Sequence, residues 1–154
     1  MESRVATAKV FLVGILLGIA AVSAYDYLTT FEVTLYWKPG EGARQYRISL
    51  QEWEKQEGRF FLTEELSYRI PLKSNTQYVA EVQSLREIKG KPQESEPARM
   101  FIKTKPAIFL PFRERRVLAQ SLPTQEEMKS KGEDIPADWE GFVIKAARDF
   151  FSNN

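Results

Sequence analysis

From Phe31 onward, apolar and polar residues take turns. In FEVTLYW, Phe31, Val33, Leu35 and Trp37 fall on one side and Glu32, Thr34 and Tyr36 on the other. A period of two belongs to a strand with one buried face. Pro39, Gly40 and Gly42 in KPGEG break the run, and RQYRISL resumes it with Tyr46, Ile48 and Leu50 inward. The stretches RFFLTE, LSYRIPL, QYVAEVQSL and ARMFIKT follow, divided by EKQEG, KSN and KGKPQESEP. Closely spaced short strands separated by turn residues predict a mainly β chain built as an antiparallel sandwich or barrel.

Two regions outside these strands carry a different pattern. Residues 10–25, VFLVGILLGIAAVSAY, hold no charge and follow Arg4 and Lys9. This is a membrane-directed segment, and with Tyr27 and Leu28 it extends over 10–28 as a transmembrane signal-anchor behind a short cytoplasmic N-terminus, residues 1–9. Gly14 and Gly18 form a G-x-x-x-G pair that lets a second helix approach closely. The rival reading is a signal peptide cut near Ala24, where Val22, Ser23 and Ala24 are short enough for a peptidase. Under either reading the positive residues stay inside, so everything after Asp26 is periplasmic or extracellular.

The other region is 106–154, expected as an extended linker and an amphipathic helical tail. Pro106 and Pro111 frame an apolar patch containing Ile108, Phe109 and Leu110, and Arg113, Arg115 and Arg116 follow it. Such a patch needs cover, and the arginines offer a solvated face or a contact for anionic lipid or an acidic partner. LPTQEEMKSKG reads as a short polar helix, with Thr124 and Glu127 as a capping box and Gly132 as its stop. In IPADWEGFVIKAARDFF, Trp139, Phe142, Val143, Ala146, Ala147 and Phe150 recur at helical spacing. That stripe has three possible covers: the sandwich, the membrane interface or a partner protein. Distance from the strands and the intervening prolines favour the partner, which makes Ile108, Phe109, Leu110, Arg113, Arg115, Arg116, Trp139, Phe142, Val143 and Phe150 the expected partner-binding residues.

Within the strands, Leu72-x-x-x-Thr76-x-Tyr78-x-x-x-Val82 resembles the signature of the fibronectin type III family. The resemblance implies a β-sandwich over roughly Thr30 to Lys105, in which Leu72 plugs the core. It also implies that Tyr78 makes a tyrosine corner, with its ring buried and its hydroxyl bonded to nearby backbone. Trp37 stands where the family carries a core Trp late in its second strand and Tyr46 where it carries an aromatic in the third. Gly90 and SEPARMFIKT match the closing loop and last strand. Trp37, Tyr46, Leu72, Tyr78 and Val82 are therefore the expected structural core. Two departures stand out: the first strand is short or missing between Asp26 and Thr30, and Ser74 replaces a frequent Pro.

Composition narrows the function. The 154 residues contain no Cys and no His, which removes disulfides, thiol nucleophiles, the commonest general base and the usual transition-metal ligands. Lys and Arg number 22 against 21 Asp and Glu, a net charge of +1 that offers no field to attract nucleic acid. The paired carboxylates Glu64–Glu65 and Glu126–Glu127 read as solvated faces. No acid, base and nucleophile constellation, phosphate loop or metal-ligand spacing emerges, so no enzyme activity, cofactor or small-molecule substrate is expected. The expected role is a non-catalytic accessory subunit of a larger membrane protein complex, held in the lipid bilayer by its N-terminal helix; a bacterial photosynthetic, respiratory or secretion assembly would suit such a part. The alternative is a free-standing adhesion or receptor-type surface module. A single module without an Arg-Gly-Asp loop or a glycosylation sequon argues against it.

Overall fold

A computed structural model describes residues 30–55, 57–105 and 117–154. The apolar run over 10–28 with Gly14 and Gly18 lies outside the described residues, as do Ile108, Phe109, Leu110, Arg113, Arg115 and Arg116. Among the described residues no helix is long and apolar enough to cross a membrane.

The strands are β1 (Thr30–Tyr36), β2 (Gln45–Glu52), β3 (Gly58–Thr63), β4 (Ser67–Lys73), β5 (Gln77–Ile88), β6 (Lys91–Glu94), β7 (Ala98–Thr104) and β8 (Val117–Leu122), followed by helices α1 (Gln125–Lys131) and α2 (Trp139–Asn153). They form two antiparallel sheets, β1–β4 and a larger sheet in the order β3–β2–β5–β7–β8, with β6 pairing off β5. The alternation decides which side chains meet between the sheets. Leu35, Ile70 and Leu72 from the small sheet pack against Ile48, Leu50, Tyr78, Ala80 and Ile102 from the large one, all buried. Val33, Trp37, Phe61, Tyr68 and Val82 line the margins. The polar register of each strand, such as Arg47, Ser49 and Gln51 on β2, falls on the opposite side.

From Val117 onward the described chain differs from the expected linker and tail. Val117–Leu122 is a strand that continues the large sheet, pairing Thr104 with Val117 and Arg99 with Leu122. It escaped the periodicity argument because VLAQSL does not alternate: its two leading residues are apolar and its centre is Ala-Gln-Ser. A short strand, β6, also occupies part of the expected turn KGKPQESEP. Lys89 and Gly90 both have positive φ, at 52° and 74°, which suits a two-residue hairpin turn and brings Lys91 back opposite Ile88.

Helix α1 has the expected ends. The Thr124 hydroxyl accepts from the Glu127 N–H at 3.2 Å, the Glu127 carboxylate accepts from the Thr124 N–H at 3.1 Å, and Gly132 closes the helix at φ 73°. It is not polar all round, since Met128 is buried. At α2, Asp138 caps the first turn by accepting from the Gly141 N–H at 2.9 Å.

Candidate protein-contact surface

The corner at Tyr78 begins with local sequence. Ser74 and Asn75 turn the chain between β4 and β5, with Asn75 at φ 51°, a region that Asn tolerates better than most residues. Tyr78 then enters β5 with its ring in the core, 1% exposed, and its hydroxyl accepts from the Lys73 N–H at 3.0 Å. Replacing Tyr78 with Phe leaves that N–H without its partner while keeping the ring. The expected cost is about 1–2 kcal/mol in denaturant unfolding, and equal midpoints for variant and parent would contradict the corner. Leu72 is 1% and Tyr46 5% exposed, whereas Trp37 and Val82 are only partly buried at the edge of the same core. Trp37 leans on Tyr46 with ring centroids 5.6 Å apart, and the Tyr46 hydroxyl accepts from the Gly40 N–H at 3.3 Å. Gly40 belongs there because a Cβ would lie 2.8 Å from the Ser84 hydroxyl.

A second lock escaped the sequence argument. Thr104 is the one buried polar residue among the described residues, 1% exposed. Its hydroxyl accepts from the Thr76 N–H at 2.9 Å and lies 2.7 Å from the Lys73 carbonyl, to which it can donate. It thus joins the end of β7 to the β4–β5 turn beside the Tyr78 bond. A final Thr in ARMFIKT carries no signal of this, because the partners are backbone groups 28 and 31 residues away.

The helical stripe of α2 corrects the expected destination. Val143, Ala147, Phe150 and Phe151 are buried against Phe101 and Leu122, with Trp53, Val79 and Leu118 around them. Phe101 lies 6.1 Å from Phe150 and 6.0 Å from Phe151 between ring centroids, and Trp53 is 5.4 Å from Phe151. Trp139 and Phe142 stack at 5.3 Å and pack against the same cluster while staying partly exposed. Val143 and Phe150 are therefore occupied by the chain's own sheet and are not free for a partner. The physical reason was present in the strands: Phe101 and Val79 face away from Ile102, Tyr78 and Ala80, so this part of the large sheet is apolar on both sides and needs a cover. Phe151 extends the stripe, four residues after Ala147.

The cover does not extend across the sheet. Following the register from β8 to β3, one outward row runs Leu122, Arg99, Glu81, Ser49, Phe60. Arg99 and Glu81 pair at 2.7 Å, and Arg99 also reaches Glu140 on α2 at 3.6 Å, which closes the covered area with a charged seam. The next row carries Gln83, Arg47 and Leu62; Arg47 bonds Gln83 at 3.1 Å and pairs with Glu94. Beyond the seam, Phe60 and Leu62 stand 70% and 58% exposed on β3, the strand at the end of the sheet. Two large apolar side chains at i and i+2 on an edge strand are a contact surface in the making, since an edge offers backbone hydrogen bonds beside them.

Other features carry less chemistry. An open hollow of about 460 Å³ on the small sheet is lined by Thr34, Tyr36, Thr63, Glu65, Tyr68 and Arg69, among others. Glu52 is held below the usual carboxylate range by its hydrogen bond to Lys55, with Lys73 assisting at 3.2 Å and partial burial opposing. Its contribution is present above the ordinary carboxylate pKa and fades as pH falls through the lowered value. The arrangement ties β2 to the end of β4. Among the described residues no group of three or more Asp and Glu could hold a metal ion. No family model, curated protein or solved structure matches the chain.

Proposed function

We propose that this chain is a non-catalytic, membrane-anchored accessory subunit of a larger membrane protein complex, and that its exported β-sandwich meets its neighbour through the outer edge of β3. The observation that carries this reading is the exposed pair Phe60 and Leu62 on the face where α2 covers Val79, Phe101, Leu118 and Leu122. A partner strand added to β3 would take up its edge hydrogen bonds and bury both side chains. The N-terminal helix raises the local concentration of the module at the membrane, so a modest interface suffices for attachment. The Tyr78 hydroxyl bond directly after the β4–β5 turn, within two facing sheets, supports a fibronetin type III-like sandwich as the scaffold. The helical tail then serves as part of the scaffold, with Val143 and Phe150 packed on the chain's own sheet.

The test is mild-detergent extraction followed by native electrophoresis and mass spectrometry. The parent chain is expected to migrate with a large complex. The double variant Phe60→Ser, Leu62→Ser is expected to lose that association while its unfolding free energy stays within about 1 kcal/mol of the parent's, because both sites are exposed. A parent chain that migrates alone contradicts the proposal, and so does a variant that stays in the complex.

A further inference from the structure

The register places several chain ends at one end of the sandwich. β1 begins at Thr30, opposite Lys73 at the end of β4. The turn Ser74–Thr76 is bonded to the end of β7, through the Asn75 N–H to the Lys105 carbonyl at 3.3 Å and the Thr104 N–H to the Thr76 carbonyl at 3.0 Å. Val117, where the described chain resumes, lies opposite Thr104. The β2–β3 turn belongs to the same end: the Trp53 N–H donates to the Gln77 carbonyl at 2.9 Å, and Glu52 bridges Lys55 and Lys73. The opposite end holds the β1–β2 loop, the β3–β4 turn and the Lys89–Gly90 hairpin.

Into that first end runs the apolar N-terminal segment, which stops at Tyr25, five residues before Thr30. Five residues reach at most about 18 Å. The chain between Lys105 and Val117, the second apolar segment of the sequence, leaves and re-enters the described structure here as well. Two segments some eighty residues apart in sequence thus attach to one end. From the geometry we infer that this end, bearing the Trp53–Lys55 turn, the Ser74–Thr76 turn and Lys105, rests on the lipid bilayer interface, with the β5–β6 hairpin pointing away. The placement deepens the proposed function and rests on residues 10–28 being an uncleaved membrane helix. From Tyr78 to Ile88, β5 rises about 34 Å at roughly 3.4 Å per residue, so the two ends differ in depth by far more than the reach of a headgroup quencher. Glu52, Glu54 and Glu57 at this end meet Lys55, Lys73 and Lys105, and Arg113, Arg115 and Arg116 follow Lys105 in sequence, so the tether sets the placement and anionic lipid can add to it.

Because the chain has no Cys, a single introduced thiol is labelled unambiguously. The full chain would be reconstituted in phosphatidylcholine vesicles containing a nitroxide-headgroup lipid, carrying an environment-sensitive fluorophore on Glu54→Cys, Lys105→Cys, Glu41→Cys or Lys91→Cys. All four native side chains are exposed, and a melting curve equal to the parent's checks each fold. At least twofold stronger quenching at positions 54 and 105 than at 41 and 91 is expected. Equal quenching at both ends, or stronger quenching at 41 and 91, in chains that float with the vesicles overturns the orientation alone. Chains that fail to float overturn the anchor and the orientation together.

Discussion

Replacing Phe101 with Ala is expected to destabilise the folded chain by about 3–5 kcal/mol. Phe101 is fully buried on the outward side of β7, and both Phe150 and Phe151 of α2 lie about its ring. Its removal opens a cavity between an element of the sheet and a helix, where collapse is limited by the pairing of β7 with β5 on one side and β8 on the other. Denaturant unfolding followed by tryptophan fluorescence reads the result, since Trp53 and Trp139 belong to the same cluster. If α2 instead waited for a partner, Phe101 would be an exposed side chain and its truncation would shift the midpoint by no more than Phe60→Ala, about 0.5 kcal/mol.

Thr104→Val is expected to rank second. Valine keeps the shape but leaves the Thr76 N–H and the Lys73 carbonyl without the hydroxyl that serves them. Each group left unpaired in a buried site costs about 1–3 kcal/mol. Thr104→Ser restores the hydroxyl and is expected to recover most of the loss, which separates the hydrogen bonds from the methyl group's packing. A valine variant as stable as the parent would mean that water reaches this corner and the lock is dispensable.

The period-two pattern made β2 legible because it buries one face: Tyr46, Ile48 and Leu50 alternate with Arg47, Ser49 and Gln51. The caps of α1 were legible for the same reason, since Thr124, Glu127 and Gly132 act on their own neighbours. What escaped depends on partners distant in sequence. β8 has little pattern of its own and becomes a strand because β7 offers it an edge. The destination of α2 depends on the outward-facing Phe101 and Val79, some forty to sixty residues earlier in the chain, which are the complementary half of the same cluster. The candidate surface was hidden differently: Phe60, Phe61 and Leu62 form one apolar run, and only the register against β2 tells that Phe61 turns to the core while Phe60 and Leu62 face away.

The chain covers its own helix, and Phe60 and Leu62 on β3 stay exposed at the edge of the large sheet. Amide hydrogen exchange on the full-length chain in detergent tests this directly. A helix of 15 residues standing free in solution is marginal, so protection across Val143 to Phe150 has to come from packing. The expected result is protection in that stretch approaching that of β5 and β7, with Phe101→Ala reducing it in α2 before β2 and β5 are affected. Exchange of the α2 amides at the rate of an unstructured peptide, alongside a protected sandwich, would contradict the account.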